Sequence, residues 1–275
     1  MAARPRLALV VIARNEEELI GECLRSAPMC DEIVVVDSFS TDRTVEIARC
    51  LGARVYQREF PGYIAQKQFA LEQATADWVL SLDADEQLTH GLREEINAVV
   101  DSPQPADGYE IRRILYHLGH YYARSLYPDF HLRLFRREGA GFGGIEPHAK
   151  AIIRGRVRRL RSPMLHFSYT DIADHVATMN RLTTQSAAQA HYQFLTPLRM
   201  LTNPAWRFFN FYFLRGGFLE GTSGMYASMA AGFYVFLKYA KLYERKLQER
   251  RALPEPCRPK NQTEDRSQPG NQMGL

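Results

Sequence analysis

Trp78-Val79-Leu80-Ser81-Leu82-Asp83-Ala84-Asp85-Glu86 reads as a buried strand that runs straight into a cluster of carboxylates. The segments around it repeat the pattern. Leu7 to Ala13 (LALVVIA) is a continuous apolar run, the mark of a strand covered on both faces. Ile33 to Val36 is a second such run, closed by Asp37, and Ala53 to Gln57 is a third strand. Helical spacing fills the intervals. Arg14 to Ala27 places Leu19, Ile20, Cys23, Leu24 and Ala27 on one side, and Ser40-Thr41-Asp42 offers N-cap chemistry for a helix through about Leu51. Ala65 to Ala74 and Gly91 to Val100 complete the set. Strands alternating with short helices predict an α/β fold, with a mostly parallel central sheet and helices on both faces. Ligands bind beyond the carboxyl ends of such strands, where Asn15, Asp37 and Asp83 to Asp85 all fall.

Beyond Asp107 the pattern changes. Tyr109 to Leu115 and His131 to Phe135 predict strands of an antiparallel subregion, separated by an aromatic loop, Tyr116 to Tyr127. Gly139 to Gly144 reads as a glycine-rich connection, Val157 to Ser168 holds another strand, and Asp171 to about Tyr192 a helix. From Pro197 to Lys241, aromatics are mixed with Arg199, Arg207, Arg215, Lys238 and Lys241. The apolar part, Met225 to Tyr239, is too short and interrupted to span a bilayer. It fits a segment lying in the membrane interface, a helical subdomain packed on the core, or a dimer contact. After Ala252 the composition is that of a disordered tail. The expected division is 1–105; 106–195; 196–250, a helical extension; and 251–275, a disordered tail.

The formal charge of +4 suits an anionic substrate or membrane surface and does not indicate nucleic acid. Cys23, Cys30, Cys50 and Cys257 form no CxxC pair, so a zinc site is not expected. Cys23 and Cys50 read as buried thiols on apolar helix faces, which fits a reducing cytoplasm. Met1 to Arg6 leads directly into a strand, with no signal peptide expected.

One Asp-x-Asp arises about once by chance in a chain this long. At a strand end, however, two such carboxylates repel unless a cation joins them, and Mg²⁺ or Mn²⁺ takes one or two carboxylates plus phosphate oxygens. Glu86 extends the cluster and could orient ligands. The chain has neither GxGxxG after its first strand nor a GxxxxGK[ST] loop, which argues against hydride transfer and P-loop ATP hydrolysis.

VVIARNEE (Val10 to Glu17), VVVDSFSTDRT (Val34 to Thr44), Lys67 on a helix and LSLDADE (Leu80 to Glu86) together resemble family 2 glycosyltransferases of the GT-A fold. YPDFHLRLFRR (Tyr127 to Arg137), Pro147-His148 and LHFSY (Leu165 to Tyr169) extend the likeness to the lipopolysaccharide-core type, which includes inner-core glucosyltransferases. The resemblance implies that Ala13, Arg14, Asn15 and Glu17 line the nucleotide base and ribose. Asp37 would accept a hydrogen bond from the base, and Lys67 would sit near base or diphosphate. Asp83 would lie near ribose and Asp85 would ligate Mg²⁺ or Mn²⁺ directly, with Asp83 and His166 as further metal candidates. His148 could serve metal or diphosphate. The implied donor is a nucleoside diphosphate sugar, UDP-sugar first. The acceptor is a glycan or lipid-linked molecule, and the workplace is cytoplasmic, peripheral on the inner face of a bacterial plasma membrane.

An inverting transfer needs a base on the acceptor hydroxyl. Glu146, after the glycine-rich stretch, is the first candidate and Asp129 the second. Related sequences carry an acid directly after the histidine, where this chain has Ala149. Arg133 and Arg136 could offset diphosphate charge, although strand alternation sends them to opposite faces. Two other readings stand beside this one. A sugar nucleotidyltransferase would need a glycine-rich basic loop where this chain has ARNEE. A membrane-docked glycan-binding or scaffold protein with a decayed site gains support from Ala149, against the intact Asn15, Asp37, Asp83 and Asp85.

Overall fold

The computed structural model describes residues 4–124, 129–146 and 148–252. Tyr127, Pro128, Pro147, Cys257 and the tail expected over 251–275, from 253 onward, lie outside them.

Strands β1 (Leu7–Ala13), β2 (Glu32–Asp37), β3 (Arg54–Gln57) and β4 (Trp78–Asp83) pair in parallel, with β1 between β2 and β4. Beyond β4 the sheet continues through β8 (Phe130–Arg136), β6 (Gly108–His117), β12 (Met164–His166) and β5 (Glu86–Leu88). Here β8 runs antiparallel to both neighbours, as expected from the change of pattern after Asp107. Short strands β7 (His120–Tyr122) and β11 (Val157–Arg159) join β6. Thus β7 interrupts the stretch expected to be an aromatic loop.

The unbroken apolar run of β1 follows from cover on both faces. Leu7, Leu9, Val11 and Ala13 enter one core layer with α1 (Ile20–Arg25), α2 (Thr44–Cys50) and α4 (His90–Val100). Ala8 and Val10 enter the other, against Ala70 and Leu71 of α3 (Tyr63–Gln73). The register sets Ala13 opposite Asp37 and Ile12 opposite Asp83, so three carboxyl ends lie side by side.

Several local expectations change. The first helix starts at Ile20 rather than Arg14, because Asn15 adopts φ 56° and its loop bonds to the β2–α2 loop instead. The second starts at Thr44, whose amide donates to Asp42 Oδ1 at 3.0 Å. Cys50 is exposed rather than buried, whereas Cys23 is buried. The glycine-rich stretch is not a loop. It forms β9 (Gly141–Ile145), antiparallel to β10 (His148–Ile152) in a separate two-stranded sheet. Gly144, at φ 114°, has no room for a side chain: a Cβ there would meet the His148 carbonyl oxygen at 2.7 Å.

Helix α5 (Ile172–Gln189) starts at an Asp171 cap that accepts from the Asp174 amide. It is followed by α6 (Thr196–Phe209), a π-helical turn Asn210–Leu214, a 3-10 turn Gly217–Glu220, and α7 (Gly221–Ala252). Two cations pin α7 to α5. Lys241 Nζ donates to Thr184 Oγ1 at 2.7 Å, and Arg245 donates to the carbonyls of Ala187, Ala188 and Ala190 at the end of α5. Lys241 therefore turns inward and does not join the basic surface expected of 197–241. No described helix is long and apolar enough to cross a membrane.

Candidate active site

The loops after β1 and β2 are stitched together. Asn15 N donates to Ser40 Oγ at 2.8 Å, and Asn15 Oδ1 accepts from Thr41 N at 2.9 Å. Glu17 N donates to Asp42 Oδ2, and Glu17 Oε2 accepts from Arg43 N, both at 3.1 Å. Ala13 is buried, its carbonyl accepting from Ser38 N, while Arg14 is exposed beside it. Asp37 is fully buried. It accepts from Ser40 N and Gln57 Nε2, each at 3.0 Å, and from Ser40 Oγ. As folded, Asp37 holds the loop that follows it rather than presenting an acceptor to a nucleotide base.

Asp83, expected as a metal or ribose ligand, has both carboxylate oxygens engaged by cations. Lys67 Nζ lies 2.5 Å from its Oδ1, and Arg133 Nη2 lies 2.5 Å from its Oδ2. Burial alone would raise the Asp83 carboxyl, yet Arg133 and Lys67 hold it well below the usual carboxylate range. Arg133 also reaches Glu86 Oε1 at 2.5 Å, and Arg113 bonds Glu86 at 3.3 Å and Asp129 at 2.8 Å. Lys67, Asp83, Arg133, Glu86, Arg113 and Asp129 form one chain of alternating charge. Arg136 points the other way, over the Trp78 ring at 4.8 Å, as strand alternation requires.

Asp85 and His166 are brought together across the sheet. Asp85 Oδ2 lies 3.0 Å from His166 Nε2, and Phe167 N donates to the Asp85 carbonyl at 2.8 Å. Ser168 Oγ lies at the same edge of the ring, 2.5 Å from His166 Nε2 and 2.9 Å from Nδ1, and limits its orientation. Asp85 Oδ1 is buried without a hydrogen-bond partner. A carboxylate with one spare oxygen beside an imidazole suits a divalent cation that completes its shell with phosphate oxygens and water. Among the described residues no three His, Cys, Asp or Glu side chains converge on one metal position. His148 is exposed on β10, apart from this pair.

Neither candidate base is free. Glu146 Oε2 accepts from Tyr63 N at 3.0 Å and its Oε1 from Ile64 N at 2.8 Å, so the carboxylate seals the start of α3. Asp129 is held by Arg113 and by His131 Nε2 at 2.7 Å. Burial opposes its ionisation, but the His131 hydrogen bond and the Arg113 guanidinium hold it well below the usual carboxylate range. A carboxylate so held is a poor proton acceptor at neutral pH.

The structure adds Glu16, which was not singled out from the sequence. Burial, and then the negative charges of Asp85, Asp42, Asp83 and Asp174, push its carboxyl up to about 7. Its position after ARN at the end of β1 was the available signal.

The family model for Glycosyl transferase family 2 matches residues 8–161, more than half of the chain. An uncharacterised glycosyltransferase of Rickettsia bellii is 32% identical, over 94% of this chain and 91% of its own. The chain belongs to glycosyl transferase family 2. LpsC of Rhizobium meliloti, a lipopolysaccharide core biosynthesis glycosyltransferase, is 32% identical to this family 2 member over 87% of the chain and 92% of LpsC. A crystal structure of S. aureus TarS 1–349 aligns with 88% of this chain and 92% of that one, at 16% identity and a TM-score of 0.47. The glycosyltransferase thus carries its family match across the parallel strands β1–β4, and the match ends shortly before His166.

Proposed function

We propose that this glycosyltransferase is a metal-dependent, inverting enzyme that moves a sugar from a nucleoside diphosphate sugar, UDP-sugar first, to a lipid-linked or glycan acceptor of the lipopolysaccharide core. The Asp85–His166 pair, with its spare buried oxygen, carries this reading. Asp85 and His166 would hold Mg²⁺ or Mn²⁺, which when bound offsets charge on the departing diphosphate. Ser168 fixes the imidazole, and Glu86, fully buried, keeps Arg133 and Arg113 in place behind Asp83. Arg14, Asn15 and Glu17 border the same end of the sheet and would flank the nucleoside. The likeness to LpsC supports a lipopolysaccharide acceptor.

In this reading residues 1–105 hold the donor, 106–195 face the acceptor, and 196–250 dock on the inner face of the plasma membrane. The exposed Leu198, Leu201, Trp206, Phe213 and Leu219, interspersed with Arg199 and Arg207, support that docking. Asp85→Ala should abolish Mn²⁺-stimulated release of nucleoside diphosphate while the melting curve stays cooperative. Equal metal-stimulated turnover in the variant would overturn the metal role.

A further inference from the structure

Beside the Asp85–His166 pair, a cavity of about 240 Å³ opens between β6, the segment after β12, and helices α5, α6 and α7. Its walls lie mostly beyond the residues of the family match. One wall is aromatic: Tyr169 and His175 stack at 4.1 Å between centroids, and His175 Nδ1 lies 2.7 Å from the Tyr226 hydroxyl. Besides Tyr226, α7 lines the cavity with the methyl groups of Ala227, Ala230 and Ala231, which leave space open, and with Tyr234, whose hydroxyl lies 3.3 Å from Ser186 Oγ.

His117 lines the same cavity and is 2% exposed, yet neither ring nitrogen has a hydrogen-bond partner of ordinary geometry, although the Tyr169 backbone lies near it. Burial holds His117 below its ordinary value, and burial with the His117 neighbour holds His175 down to about 4, so both rings are neutral. Among the described residues no carboxylate lines the cavity, and the one charged side chain that does, Arg207, is exposed and lies over the Phe211 ring. A cation meets no carboxylate in the wall itself, with Asp174 acting on the imidazoles from outside it, and an anion meets Arg207, which already lies over the Phe211 ring, beside two neutral imidazoles. A plain alkyl chain would leave the His117 nitrogens buried without partners, which is unfavourable. A neutral ring with apolar C–H faces and several hydroxyls satisfies both walls, because a hydroxyl can donate to or accept from a neutral imidazole.

We propose that this cavity is a subsite for a neutral sugar ring of the acceptor. The inference rests on the transferase reading above and adds the acceptor's place. Leu115 lines the cavity and pairs in register with His166, and Tyr169 follows His166 by three residues, so the ring would be held directly beside the metal-binding pair.

Saturation-transfer NMR on the full chain, with methyl β-glucopyranoside, methyl β-galactopyranoside and n-octanol as probes, tests it. Ring protons of at least one glycoside should receive saturation. The signal should fall at least severalfold in Ala230→Leu, which fills the cavity, and in Tyr226→Phe, which removes one hydroxyl. Met229→Leu, on the exposed side of α7, should leave it unchanged. Glycoside signals unaffected by either cavity variant, or transfer to n-octanol alone, would overturn the proposal. Should Ala230→Leu fail to fold, Tyr226→Phe still decides. Calorimetry of UDP, GDP and ADP with Mn²⁺ on the unaltered protein reads the donor side separately: binding of none of them would sink the donor reading whatever the glycosides do.

Discussion

Glu146 seals a helix with two backbone hydrogen bonds, so its replacement should report on stability rather than on proton transfer. Glu146→Gln should lower kcat less than about tenfold, whereas loss of a general base costs about 10²–10⁴. Glu146→Ala should cost about 1 kcal/mol of stability, the scale of a lost helix cap. A thousandfold fall in kcat with an unchanged Tm would restore Glu146 as the base. Glu16 makes the second test at this scale. Its carboxyl moves from 4.5 to about 7 on folding, so between these values the folded chain keeps a proton that the unfolded chain has released. The stability it contributes is complete below about 4.5 and is lost as pH rises through about 7. Glu16→Gln should flatten that decline, read as the difference in Tm between about pH 5 and about pH 8 in metal-free buffer. Parallel declines in both proteins would remove Glu16 from the acidic cluster. Glu16 could not be placed from the chain alone, because its neighbours Asp42, Asp85 and Asp174 arrive from three other segments.

At the scale of elements, periodicity located the strands well. LALVVIA and WVLSLD are each buried on two faces, and that alone makes a run continuous rather than alternating. The misreadings share one cause: a local signal was outweighed by a partner distant in sequence. Gly141 to Gly144 looked like a connection, yet the pairing with His148–Ile152 makes it a strand. Asp83 looked like a free ligand, yet Lys67 from α3 and Arg133 from β8 occupy both its oxygens. That junction of β4, α3 and β8 should be sensitive. Arg133→Met would leave Asp83 and Glu86 without their shared buried cation, at a cost of about 3–5 kcal/mol. Denaturant unfolding measures this, and a loss under about 1 kcal/mol would mean that water already shields the pair.

Across the whole molecule, the central sheet and the α6–α7 surface make separate demands. Trp206, Phe213 and Leu219 stand 50–60% exposed, an apolar surface that water alone does not favour. Flotation with phosphatidylglycerol vesicles should carry the protein upward, and the double variant Trp206→Asp, Phe213→Asp should remain below. Equal flotation of both would assign the surface to something other than lipid. The aromatic-basic composition was readable in advance, but not which residues turn outward, since Lys241 and Arg245 are taken by α5.

The alternation of Lys67, Arg133 and Arg113 with Asp83, Glu86 and Asp129 has a consequence for supply. Three cations already answer three carboxylates, so this row of side chains holds little positive charge in reserve for an arriving diphosphate. On the proposed reading, the incoming donor would bring its own counter-ion. The fraction of enzyme loaded with sugar nucleotide would then follow the free divalent ion in the cell as closely as the sugar nucleotide itself, with the metal a co-substrate rather than a permanent fitting.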